Sequence, residues 1–375
     1  MVRIFLTSSH LSSVAAALIA KKLSNEGDKN FLLIDHYGKK KSLVELINTT
    51  TEIFLWDDIL DFSYHLDNSI DLNPGIKKKI LRKIKTFPVI SRIYELLLKR
   101  HSKNYVEEMS IVLRDRFSAI NLSSCDELYL LTQTALNETL FNVFPAARTV
   151  YYEHGLGDYY YYHQKKLKGD FIGFFGDEFK TYTNFNNIES LSSALEFQSA
   201  LGKYHSFVTT QLGHLKGKKC AFFLMDALEG YNPPISFWTD YLEVALNKAA
   251  LPDDCILLVK PHPNQSNGVM EITSKWLKEK NIEHVFLSDA VFVSLSVEVI
   301  FSYLEQETIC LISTFSSAIF YLSKFYPSAC RYLLMYDFVE PYTVNAPLQY
   351  KEHFHGLRVY IDRVFIKANI ERVGD

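Results

Sequence analysis

Short unbroken apolar runs alternate with longer stretches of helical period along this chain. "RIFLTS" (3–8) precedes a helical stretch around 11–25, and "FLLID" (31–35) and "EIFLW" (52–56) follow. "ELYLLTQ" (127–133) and "RTVYYEHG" (148–155) close a first series. A second series holds "CAFFLMD" (220–226), "CILLVKPHP" (255–263), "HVFLSD" (284–289) and "TICLIST" (308–314). Runs without in-out alternation, separated by helices, predict parallel strands buried on both faces. The polar, glycine-punctuated stretch over 200–219 predicts a division into domains 1–205 and 206–375, the last helix packing back on the first domain. The fold class expected is α/β, with two Rossmann-like doubly wound domains facing across a cleft, and ligands at the carboxyl ends of the strands.

Composition adds little to this picture and removes several classes. Apolar residues make up 48% of the 375 positions, which excludes disorder. A net charge of −3 gives no whole-chain field for nucleic acid. Cys125, Cys220, Cys255, Cys310 and Cys330 form no CxxC pair and read as reduced core thiols of a cytoplasmic protein. "VAAALIA" (14–20) is too short for a membrane span and reads as helix core.

Charge is unevenly spread. The segment 77–103 carries ten basic residues (Lys77, Lys78, Lys79, Arg82, Lys83, Lys85, Arg92, Lys99, Arg100 and Lys103) and one acid, so the remainder is net −12. Interleaved apolar residues predict two basic amphipathic helices around Pro88. Two readings stay open, a solvated helix face and a docking surface for a polyanion or an anionic membrane.

Three stretches at predicted strand ends carry candidate chemistry. Glu153-His154-Gly155 offers a carboxylate among tyrosines, fit for a general base, or a capped turn. His262 stands between Pro261 and Pro263, in a loop stiff enough to present an imidazole to a phosphate. Ser316 and Ser317 open a helix after "TICLIST" and suit either an anion site or an ordinary cap. No Walker loop, GxGxxG motif or convincing metal site is present in the sequence.

The order of these motifs resembles that of the bacterial GT-B sialyltransferases, which share D/E-D/E-G, HP and paired S/T motifs. Here they read Glu153-His154-Gly155, His262-Pro263 and Ser316-Ser317, and "VSLSVEVIFSYLEQETICLISTFSSAIFYL" (293–322) looks like the family's segment with Glu298 before the serines. Within the group the chain is most similar to the capsule polysialyltransferases. His154 departs from the family's second acid. The resemblance implies metal-independent inverting transfer from CMP-sialic acid to an oligo- or polysialic acid chain. It implies Glu153 as base, His262 as phosphate donor, Ser316 and Ser317 as phosphate holders and Glu298 on the ribose. It needs no cofactor beyond the donor substrate and no nucleic acid. It implies capsule-assembly partners at the inner membrane surface, and a polyanion track along 77–103. Three rivals are a lipooligosaccharide sialyltransferase, a CDP-glycerol-type polymerase and a polyanion-binding module.

Overall fold

The computed structural model describes residues 1–35, 47, 49–62, 106–132, 134, 136–153, 155, 169–176, 185, 187–191, 193–226, 228–231, 233–234, 236–262, 265–347, 351, 354–358, 361–362 and 369–373. The basic tract 77–103, His154 and Pro263 lie outside the described residues. In chain order the elements used below are β1 (Val2–Thr7), α1 (His10–Leu23), β2 (Lys29–Asp35), β3 (Asp58–Phe62), β4 (Glu127–Leu131) and β5 (Arg148–Tyr152). Then come β6 (Asp170–Gly173), β7 (Asn187–Ser190), α2 (Ala194–Gly202), β8 (Cys220–Met225), α3 (Ser236–Ala249), β9 (Ile256–Pro261) and α4 (Asn267–Glu279). The last are β10 (His284–Phe286), α5 (Val297–Tyr303), β11 (Thr308–Ser313), α6 (Ser317–Phe325), β12 (Arg331–Leu334) and β13 (Ile370–Arg372).

The chain divides into two compact units. The first comprises Met1–Ser8, Ser24–Lys40 and Trp56–Tyr152; the second comprises Ser9–Leu23, Lys41–Leu55 and Glu153–Asp375. The expected boundary at 205 therefore falls inside the second unit. In the first unit the strands run β3-β2-β1-β4-β5, all parallel, with Ile4 opposite Phe31 on one side and Leu128 on the other. Their side chains are buried on both faces, as Phe5, Leu32 and Leu130 illustrate at 0% exposure. Arg3 ties the amino ends of β1, β2 and β4, donating to Glu127 at 3.0 Å and Asp28 at 2.8 Å.

The second unit holds a six-stranded parallel sheet, β10-β9-β8-β11-β12-β13, and the parallel pair β6–β7. Its central strands are the apolar runs read from the sequence, with β8 pairing β9 over Cys220–Met225 and β11 over Ala221–Phe223. Both units thus carry the parallel, helix-connected sheet of the Rossmann type, the composition expected of a GT-B chain.

"EIFLW" (52–56) is not a strand. Leu55 is 81% exposed and Thr49–Glu52 form a 3₁₀ turn, so the strand begins at Asp58 instead. Burial of Trp56, its ring edge-on to Phe5 at 5.4 Å, explains the apolar content of that run without a strand. All five cysteines are free, and Cys330 is half-buried rather than a core thiol. Among the described residues no helix is long and apolar enough to cross a membrane.

Candidate functional site

Parallel pairing places the carboxyl ends of β9, β8 and β11 side by side. Each delivers a polar residue where its apolar run stops: His262 after β9, Asp226 after β8, and Ser313 to Ser317 at the end of β11 and the start of α6. The first turn of α5 adds Glu298, and the first residue of α1 adds His10. A pocket of about 260 Å³ opens among these side chains, lined by His10, Asp226, Lys260, His262, Glu298, Ser316 and Ser317 together with apolar neighbours.

The turn between β11 and α6 is wired by Asp226. Its Oδ2 accepts from Thr314 N at 2.8 Å, Ser313 Oγ at 3.2 Å and Phe315 N at 3.3 Å. Burial pushes the Asp226 carboxyl up to about 6, against the lowering effect of those donors. Ser313 Oγ in turn accepts from Ser316 N at 2.9 Å, and Ser316 Oγ accepts from Ala318 N at 3.4 Å, capping α6. A capping hydroxyl uses a lone pair, so its proton stays available for an acceptor in the pocket. The pocket lining also carries a buried pair. Lys260 is 8% exposed and Glu298 3%. Lys260 Nζ donates to Phe292 O at 2.7 Å. Burial pulls Lys260 down to about 8 and pushes Glu298 up, while each charge partly restores the other. His262 is held by its backbone, N–H to Met225 O at 3.0 Å and carbonyl to Gln265 N at 2.8 Å.

Four predicted residues, His262, Glu298, Ser316 and Ser317, therefore meet at one pocket. Glu153 does not line it. Its side chain is fully buried, Oε2 accepting from Phe174 N at 2.6 Å and Oε1 from the Tyr321 hydroxyl on α6. The same region grips α6 through Lys324, which donates to Phe174 O at 2.6 Å, and through the rings of Phe174, Phe197 and Phe325. Gly155 follows at the turn, outside the pocket lining.

Sequence reading missed Asp226, Lys260 and His10. Two of them carried a signal: Lys260 interrupts an otherwise apolar strand that the sheet buries on both faces, and Asp226 ends one. His10 sits in "TSSHLSS", a stretch that reads as loop and cap and gives no such signal. Among the described residues no cluster of His, Cys, Asp and Glu has the geometry to hold a metal ion.

No protein-family model and no curated protein matches the sequence. Solved structures with a similar chain course include the GT-B domain of a sialyltransferase from Photobacterium damselae, at 10% identity over 96% of each chain with a TM-score of 0.45. They also include Anabaena Alr3699/HepE in complex with UDP and glucose, at 10% identity over 98% of this chain and 97% of that one, TM-score 0.45. The ADP-heptose LPS heptosyltransferase II of E. coli matches at 9% identity over 96% and 97%, with a TM-score of 0.39. Likeness at this level carries no statement about substrate.

Proposed function

We propose that this chain is a glycosyltransferase that moves sialic acid from CMP-sialic acid onto the end of an oligo- or polysialic acid chain, with inversion and without a metal. The observation that carries the reading is convergence. Residues 262, 298, 316 and 317, chosen as motif positions from scattered stretches of sequence, line one pocket at the carboxyl edge of a parallel sheet. That edge is where α/β sheets bind nucleotides.

The pocket has the polarity such a donor needs. His262, the Ser316 and Ser317 hydroxyls and the N-terminus of α6 supply hydrogen-bond donors for the phosphate. Negative charge grows on that phosphate as the sugar carbon becomes oxocarbenium-like, so donors fixed beforehand lower the barrier. Glu298 supplies an acceptor for ribose hydroxyls. The acceptor sugar must lose a proton, and the motif assigns that task to Glu153. Its Oε1 then exchanges the Tyr321 hydroxyl for the acceptor hydroxyl, since catalytic hydrogen bonds commonly form only in the substrate complex. The ten basic residues of 77–103 suit an acceptor that carries a carboxylate on every sugar, through contacts that are individually weak and screened by salt.

The test is release of CMP from CMP-sialic acid with and without a short oligosialic acid, followed by sizing of the product. Acceptor-dependent release and a ladder of longer chains are expected. Release with a neutral galactoside alone, or turnover of CDP-glycerol instead, overturns the polysialyl reading.

A further inference from the structure

The turn that opens α6 already holds an anion of the chain's own. Asp226 Oδ2 accepts from Thr314 N at 2.8 Å, Ser313 Oγ at 3.2 Å and Phe315 N at 3.3 Å. Ser313 Oγ also accepts from Ser316 N at 2.9 Å, so one hydroxyl joins the carboxylate to the residue that caps α6. All three donors fall on Oδ2, and Oδ1 receives none of them. Asp226 lines the pocket beside His262, Ser316 and Ser317. One oxygen is therefore committed to the turn and the other has capacity left.

Charge decides what that capacity is for. A phosphate held by Ser316, Ser317 and the start of α6 lies next to this carboxylate, and two anions so close repel. The repulsion ends when the carboxyl takes a proton, and its O–H then becomes one more donor to the phosphate. With Oδ2 filled by three donors, the proton belongs on Oδ1. The surrounding groups allow this. On α3, the Tyr241 hydroxyl bonds Thr314 Oγ1 at 2.8 Å, and burial pushes its pKa up, so it stays neutral. From β9 and the residue after it come Lys260 and His262, from α5 Glu298 and from α1 His10. Lys260 Nζ is committed to Phe292 O, and burial keeps His10 neutral. His262 is a second candidate for the same proton. Burial already lifts the Asp226 carboxyl to about 6, near enough to neutrality for a neighbouring anion to carry it across.

We propose that Asp226 is the proton-carrying residue of the phosphate site: nucleotide binding brings a proton from solvent onto Oδ1, the O–H donates to a phosphate oxygen, and Oδ2 keeps the turn between β11 and α6 in shape. The proton returns to solvent when the nucleotide leaves. The inference rests on the nucleotide-sugar reading above and adds a proton that the motif residues do not supply. When the bond from the sugar carbon to the phosphate oxygen breaks, its electron pair stays on that oxygen. A carboxyl O–H beside the phosphate stabilises the added charge, whereas a bare carboxylate opposes it.

The probe is the methyl ester of CMP, because a phosphodiester lacks the ionisation near pH 6 that a phosphate monoester shows. Calorimetric titration of wild type in two buffers of different ionisation enthalpy is expected to show uptake of roughly half a proton or more per nucleotide at about pH 7. Asp226→Asn puts a permanent N–H donor at the Oδ1 position while its oxygen still accepts from the turn. It is expected to bind the probe on the order of 10-fold more tightly than wild type at about pH 8, to converge with it toward about pH 5.5, and to lose the proton uptake. A merely structural role predicts weaker binding at every pH. Undiminished uptake in Asp226→Asn assigns the proton to His262 and overturns the proposal, as does affinity no tighter than wild type at about pH 8. Carbon NMR of wild type gives a check that needs no variant. The Asp226 carboxyl resonance moves upfield, toward the protonated form, when the probe saturates the pocket at about pH 7, and an unmoved resonance overturns the proposal. If the methyl ester of UMP or AMP binds and that of CMP does not, the sialyl reading falls, and the same measurements on that ester decide Asp226 separately. If no nucleotide ester binds, the inference falls with the reading.

Discussion

Glu153 and Glu298 are both buried glutamates of the second unit, and both were read from sequence as working residues. The fold treats them differently. Each oxygen of Glu153 meets a protein donor, Phe174 N or the Tyr321 hydroxyl, inside a packed aromatic cluster. Glu298 faces a pocket, with Ser296 and the charge of Lys260 as company. A carboxylate satisfied by its own chain holds structure together in the free state, whereas one that opens on a cavity has capacity left for a ligand. The difference turns on neighbours distant in sequence: Tyr321 lies 168 residues from Glu153.

The sharpest way to break this comparison is Glu153→Gln beside Tyr321→Phe. With Glu153 as base, Glu153→Gln lowers turnover on the order of 10²–10⁴ while nucleotide affinity stays within about 2-fold. Tyr321→Phe removes the competing hydroxyl and leaves most of the turnover. If instead both variants only lower the melting temperature, and folded enzyme turns over normally, Glu153 is a strut for α6 and the base lies elsewhere.

Glu298→Gln comes next in size. The amide keeps the shape but turns one acceptor into a donor and removes the charge facing Lys260. Nucleotide affinity is expected to drop on the order of 10–100-fold with the sheet intact, as seen by titration and by circular dichroism. Unchanged affinity would make the two glutamates alike after all and would empty the comparison.

Much of the architecture was legible because its signal is local. Apolar runs such as "CAFFLM" and "ILLVKP" are β8 and β9, and Ser316 caps α6 where a cap was expected. The strands missed, β6, β7, β12 and β13, are three or four residues long, and β7 and β13 are largely exposed, so those two leave no apolar run to read. The convergence of His262, Glu298, Ser316 and Ser317 was also legible, since parallel strands bring their carboxyl ends to one edge. The partners were not. Nothing in "TSSHLSS" announces that His10 meets Ser296, which is 286 residues away, and nothing in "YYEHG" announces Tyr321. Those pairings are set by packing, and packing is a property of the whole chain.

The last expected effect, opposed within wild type between about pH 3.8 and 6, tests whether the pocket's buried groups have the ionisation assigned to them. His10 titrates at about 3 in the folded chain against 6.5 in an exposed one. Below pH 6.5 the unfolded chain therefore binds the extra proton, and acid costs stability at about 1.4 kcal/mol per pH unit. Asp226 runs the other way. Its folded value is about 6 against 3.8, so between those values the folded chain binds the extra proton and acid adds stability with the same slope. The two contributions oppose one another between about pH 3.8 and 6. Asp226→Asn, which keeps an acceptor for Thr314 N, is expected to remove the compensation, so that its stability relative to wild type falls by about 1.4 kcal/mol for each pH unit below 6. His10→Asn is expected to slope the opposite way from pH 6.5 downward. Urea unfolding of the three proteins at pH 6.5, 5 and 4 reads both slopes, because titrations common to all three cancel in the differences. Parallel curves would mean that neither group is buried in the state assigned.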